Sequence, residues 1–142
     1  MMKLRKDPLR AEELLKKYIT LYEKQDLEGI LKLFSKDINL WGTGIDEYRR
    51  GLLEAEMQIK RDWEQAKVKE ITTMSIISPN PTSAAGIFKV DLEIEGKQSI
   101  IDNIRLTIVT NFEDRKLKIF HLHVSVPDSK QAEGNSFRNV AK

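Results

Sequence analysis

Apolar residues at Ala11, Leu14, Leu15, Tyr18, Leu21 and Tyr22 recur at three- and four-residue spacing, which predicts an amphipathic helix. Pro8 suits the first turn of that helix. The pattern breaks at Gln25-Asp26, and Asp26 is placed to cap a second, short helix that buries Leu27, Ile30, Leu31 and Phe34. A brief strand from Ile38 to Trp41 then runs into the flexible turn Gly42-Thr43-Gly44. Leu52, Ala55, Ile59, Trp63 and Ala66 mark a third helix, with Leu53 and Met57 widening its apolar face.

Beyond Ala66 the period drops to two. Val68 to Ser78 is β-rich and is ended by Pro79-Asn80-Pro81. In the next segment Phe88, Val90, Leu92 and Ile94 share one face, against Lys89, Asp91, Glu93 and Glu95 on the other. Glu95-Gly96 makes a tight turn into a partner strand, about Ile100 to Phe112, that places Ile100, Ile104, Leu106 and Ile108 together. A polar turn at Glu113 to Lys116 leads to a last strand, Leu117 to Val126, closed by Pro127. The order ααβαββββ, with consecutive hairpins behind helices, predicts an α+β domain in which three N-terminal helices cover one face of an antiparallel sheet. Strongly curved around its helices, such a sheet forms a cone whose open end is a natural pocket. The domain covers residues 1–127, and 128–142 form a polar tail in which Phe137 is the one residue able to dock.

Charge and composition narrow the partners. The 142 residues are 40% hydrophobic and 32% charged, and 24 basic against 22 acidic residues leave a net charge of +2. The signs are interspersed, so no basic face for nucleic acid is expected; Lys3, Arg5, Lys6 and Arg10 read as a solvated lead-in to the first helix. No apolar run has the length of a membrane span or the form of a secretory leader, which makes a cytoplasmic location the expectation. The absence of cysteine excludes disulfides, thiolate metal sites and cysteine nucleophiles.

Three segments resemble the nuclear transport factor two-like superfamily, in its SnoaL-like and ketosteroid isomerase-like branches. Lys17 to Phe34 is similar to that family's first two helices and their acidic junction. Gly42-Thr43-Gly44 with Asp46-Glu47 and Gly51 resembles the loop before the third helix, and His121-Leu122-His123-Val124-Ser125 resembles a frequent ending of the final strand. The resemblance implies the cone fold and a pocket. Ketosteroid isomerases use a tyrosine and a protonated aspartate as donors and a second aspartate as base. Tyr18 matches the tyrosine, but glycine (Gly42) stands at the base position and isoleucine (Ile108) near the second donor, so that mechanism does not carry over.

The candidate pocket residues are Tyr18, Trp41, Trp63, His121 and His123, with His121, His123 and Asp46 the candidates for acid–base work. The two histidines lie two apart on a strand and share a face; a one-residue shift would turn them from the pocket to the outside, where they would sit within the sheet surface or a dimer interface. No metal site and no cofactor are expected, since no further histidine cluster accompanies the pair. Ser125 has no nucleophile-elbow context and Gly42-Thr43-Gly44 is not a phosphate loop. Three functions stay open: a module binding a small, largely apolar or aromatic molecule; a small lyase, isomerase or cyclase acting on a polyketide- or steroid-like substrate; and a non-catalytic dimerisation module. A homodimer through the outer sheet face is expected, covering Ile101 and Val109.

Overall fold

In a computed structural model, which describes residues 8 and 10–138, three helices pack on one six-stranded sheet. The elements are α1 (Ala11–Glu23), α2 (Leu27–Leu33), β1 (Phe34–Trp41), β2 (Tyr48–Arg50), α3 (Gly51–Gln65), β3 (Lys67–Asn80), β4 (Ser83–Ile94), β5 (Lys97–Glu113) and β6 (Lys116–Ser125). The strand order is β2-β1-β6-β5-β4-β3. All neighbours are antiparallel except β1 and β6, which run parallel, so the sheet is mixed rather than wholly antiparallel. The α+β cone foreseen from the sequence is present.

Several expected boundaries move. Pro8 precedes α1, whose N-cap is Arg10. In place of a side-chain cap, the Ala11 N–H donates to the Pro81 carbonyl in the β3–β4 turn, at 2.7 Å. Asp26 caps α2 as expected, accepting from the Gly29 N–H at 2.9 Å, but Phe34 already belongs to β1. The short β2, absent from the sequence reading, pairs with the end of β1. Leu53 and Met57 face solvent instead of widening the apolar face of α3, and Phe137 is exposed rather than docked. Lys3, Arg5 and Lys6 lie outside the described residues. No helix among the described residues is long and apolar enough to cross a membrane.

Bulges set the curvature of the sheet and the facing of its side chains. On β3 the register shifts between Val68 and Glu70, and the end of α1 with the turn after it fastens that stretch from the side: Gln25 Oε1 accepts from the Val68 N–H at 3.0 Å and Glu23 Oε2 from the Ile71 N–H at 2.7 Å. Across β4 and β5, Phe88 pairs with Ile104 while Val90 pairs with Ile101, leaving an extra residue near Asn103, whose φ is +56°. The alternation therefore flips, and Ile101 joins Ile104 and Leu106 on the inner face while Ile100 turns outward. This corrects the placement of Ile100 and Ile101 expected from simple alternation.

The core lies between the inner sheet face and the helices: Leu14, Leu15 and Tyr18 of α1, Ile30 of α2 and Ile59 of α3 against Ile38, Phe88, Ile108, Ile119 and Leu122. Phe88 is fully buried because Gly86 leaves room for its ring: a Cβ at Gly86 would stand 2.6 Å from Cζ of Phe88 and 3.0 Å from the Ser75 carbonyl oxygen. Gly86→Ala is expected to lower unfolding stability by about 1–3 kcal/mol through overpacking, read from urea denaturation. An unchanged midpoint would show that the ring has another position open to it.

Candidate functional site

Between the helices and the inner sheet face lies a cavity of about 510 Å³. Its walls are mainly aliphatic and aromatic: Ile71 from β3, Phe88, Val90 and Leu92 from β4, Ile101, Ile104 and Leu106 from β5, and Leu122 and Val124 from β6. Tyr18 and Tyr22 enter from α1, and Ile59 and Trp63 from α3. Their rings form a chain, Tyr18 to Tyr22 at 5.8 Å between centroids and Tyr22 to Trp63 at 5.4 Å. Of the residues expected at the pocket, Tyr18 and Trp63 line it.

Trp41, His121 and His123 do not. Val109 pairs with His121 while Thr110 pairs with Ile119, so Phe120 is an extra residue on β6. Leu117 and Ile119 face the core before that bulge, Leu122 and Val124 after it, and the histidines are turned to the outer face. There Trp41 packs edge-on against both imidazoles, with centroids 4.7 Å from His121 and 5.4 Å from His123. Partial burial, then the neighbouring His123, hold His121 below the ordinary histidine pKa. Pairing across the sheet lines up Ile77, Ala85, Thr107, His123 and Trp41 on that face.

The polar part of the cavity comes from residues the sequence reading passed over. Gln58 and Asp62 follow Ala55 at helical spacing, on the buried side of α3, so they interrupt the apolar stripe at the cavity wall. Gln58 is 2% exposed, and its amide is used in full. Nε2 donates to Glu47 Oε1 at 2.9 Å and to Asp62 Oδ1 at 2.8 Å, while Oε1 accepts from Arg49 Nε at 3.1 Å. The Tyr22 hydroxyl donates to Asp62 Oδ2 at 2.9 Å. Burial raises the Asp62 pKa above the usual carboxylate value; the bonds from Gln58 and Tyr22 and the nearby Arg61 oppose that rise, and Glu47 adds to it. Tyr18 and Tyr22 are both held well above the ordinary phenol range, by burial first and by the charge of Asp62 second.

Asp46, expected as a base at the mouth, lies outside the cavity lining. It receives two bonds from Arg61, at 2.7 and 3.2 Å, and this pairing keeps its carboxyl below the usual range, which suits an anchor and not a base. Glu47 beside it does line the cavity, and its Oε2 also accepts from the Gly44 N–H. Gly42 lines the cavity without a side chain, and Ile108 is buried in the core. No group of three or more metal-binding side chains converges among the described residues.

Gln58 bridges two carboxylates, adding one donor to Glu47 beside the Gly44 N–H and one to Asp62 beside the Tyr22 hydroxyl. Gln58→Leu should therefore cost about 1–3 kcal/mol of stability near neutral pH, the usual penalty for stranding buried polar groups. Urea titration checks this, and a variant as stable as the parent would show that the bridging bonds contribute nothing net.

Solved structures share this architecture at low sequence identity. A ketosteroid isomerase-like protein from Erwinia carotovora atroseptica superposes with a TM-score of 0.69 at 11% identity, over 88% of this chain and 99% of that one. A putative calcium/calmodulin-dependent protein kinase II association domain from Xanthomonas campestris gives 0.63 at 17%, over 91% and 99%. An epoxide hydrolase of the LEH-like type from Mycobacterium tuberculosis gives 0.61 at 10%, over 81% and 80%. These likenesses are of fold. No curated protein matches the chain in sequence. The family model of the SnoaL-like domain matches residues 11–129, from the first turn of α1 to just past β6, and the chain therefore belongs to the SnoaL-like domain family.

Proposed function

We propose that the cone binds a small, largely apolar or aromatic molecule, with Tyr18 and Trp63 among its contacts. The observation that carries this reading is the cavity itself: about 510 Å³ of space in a wall of aliphatic and aromatic side chains, with its polar groups gathered at α3. Pockets of roughly 300–1,000 Å³ with a few convergent polar groups are the usual form of small-molecule sites. An unfilled cavity also counts against a module whose single task is association. The enzyme reading, a small lyase, isomerase or cyclase working on a polyketide- or steroid-like substrate, draws support from Asp62. That carboxylate lines the cavity, burial raises its pKa, and it takes over the acid–base role expected of a histidine.

The binding reading is tested with N-phenyl-1-naphthylamine, a neutral dye that fluoresces on entering apolar sites. Saturable enhancement is expected, and Ile104→Trp, which puts an indole into the cavity, should weaken it by about tenfold or more. Equal binding by a folded Ile104→Trp variant would place the dye elsewhere and remove the support for the cone.

The outer sheet face we assign to a homodimer. Trp41, Ile77, Ile87, Val109 and Phe120 are large apolar residues left exposed there, around the half-buried His121. A stable dimer needs about 800 Å² from each partner. Val109→Asp should return a mass near 16.4 kDa where the parent gives twice that in light scattering. Because His121 has a lowered pKa in the folded chain, its contribution to folding stability is present above the ordinary histidine value and is lost as pH falls through the lowered one, which urea denaturation at several pH values reads. A monomeric parent at neutral pH would end the dimer assignment.

A further inference from the structure

We propose that the ligand of the cone carries a positive charge: a lipophilic amine whose ammonium sits against Asp62 and the rings of Tyr18, Tyr22 and Trp63, with its apolar body along the sheet. This deepens the binding reading and rests on it.

Three ionisable groups of full charge line the cavity: Glu47, Asp62 and Arg61. Arg61 is held chiefly by Asp46, through the two bonds already described; it also reaches Gln58 Oε1 at 3.4 Å and Glu47 at 4.0 Å, and forms no ion pair with Asp62. Among the described residues no ion pair is made by Asp62. Its two bonded neighbours, Tyr22 and Gln58, are neutral donors, one to each carboxylate oxygen. A carboxyl that accepts on both oxygens is set up to be ionised, and an ionised carboxylate removed from water is costly unless a cation joins it.

The surroundings then select the kind of cation. Tyr18, Tyr22 and Trp63 line the cavity on the side from which Asp62 enters. Aromatic rings attract an ammonium through their quadrupole, most strongly where water is excluded. Tyr18 is 5% exposed, and among the described residues its hydroxyl has no protein partner, so its oxygen is free to accept an N–H from a ligand. A hydrated metal ion would gain little from such walls. An alkyl or aryl amine gains from both ends, since the apolar faces of β4, β5 and β6 accept its body. An anionic ligand would meet the carboxylate of Asp62, which among the described residues no ion pair offsets.

Isothermal titration with three probes of one shape and different charge tests this: 1-naphthylmethylamine, 1-naphthalenemethanol and 1-naphthoate, near neutral pH. The amine should bind about tenfold or more tightly than the alcohol, the difference a charge-assisted bond supplies, and the carboxylate should bind weakest. In Asp62→Asn the ratio of amine to alcohol affinity should fall to within about threefold. The probe series on the parent chain stands alone if that variant does not fold. Alcohol binding as tightly as amine overturns the charge assignment and leaves the cone as a site for neutral ligands. An amine preference that survives in Asp62→Asn overturns the assignment to Asp62. If none of the three binds, the binding reading falls together with this one.

Discussion

The strict alternation of side chains along a strand is the constraint on which this molecule turns. A strand with a continuous register must send every second residue to the same face, so an inner wall can be altered only by changing residues or by breaking the count. The sheet here breaks the count. The extra residue at Phe120 carries β6 from an odd inner set, Leu117 and Ile119, to an even one, Leu122 and Val124. The break near Asn103 does the same on β5, from the odd Ile101 to the even Ile104 and Leu106. Two single-residue insertions thereby give the cavity an aliphatic wall and leave both histidines outside it.

The helical side of the cavity answers a different demand. A carboxylate pair cannot be brought near apolar walls unless donors hold it, and α3 supplies the donor within its own turn. Gln58 and Asp62 are four residues apart, so the amide reaches the carboxylate along the helix and still has a hydrogen for Glu47 across the loop. Arg49 fixes which end of the amide is oxygen. Tyr22, from α1, completes Asp62 and ties the two helices together at the cavity. The same bonds that orient the polar groups also join α1, α3 and the loop before β2, which makes the site and the helical packing a single arrangement.

Much of the fold was legible in the chain because long periodic segments carry redundant information. The α1 stripe, the Asp26 cap and the alternation of β4 each follow from several residues that agree. What was illegible turned on single residues. An insertion at Phe120 has no composition signal, and Asn103 at +56° is the sort of residue that tolerates the left-handed region without announcing that it does. The parallel pairing of β1 with β6 joins segments too distant in sequence for a hairpin to betray. At the site, Tyr18 was readable from the apolar stripe of α1 and its match to the tyrosine of the resembling family, and Trp63 as a large aromatic near the end of α3. Gln58 and Asp62 left a readable trace, two polar residues on the buried stripe of Ala55, Ile59 and Trp63, but periodicity that is scored on its apolar members passes over them.

The position of β6 in the sheet carries a consequence for how the chain comes to be folded. It lies between β1 and β5 and is the one bridge between the pair β2-β1 and the meander β5-β4-β3. It is also the strand that leaves the ribosome after the other five. Until it arrives, β1 and β5 each present an unpaired edge, and the inner wall lacks Ile119, Leu122 and Val124. Local hairpins of the meander can form early, but the contact between β1 and β6 must close a loop of most of the domain, the kind of pairing that makes folding slow. During synthesis the protein therefore passes through a stage with two sticky strand edges held apart, and its exposure to aggregation is concentrated in the interval before its central strand is in place.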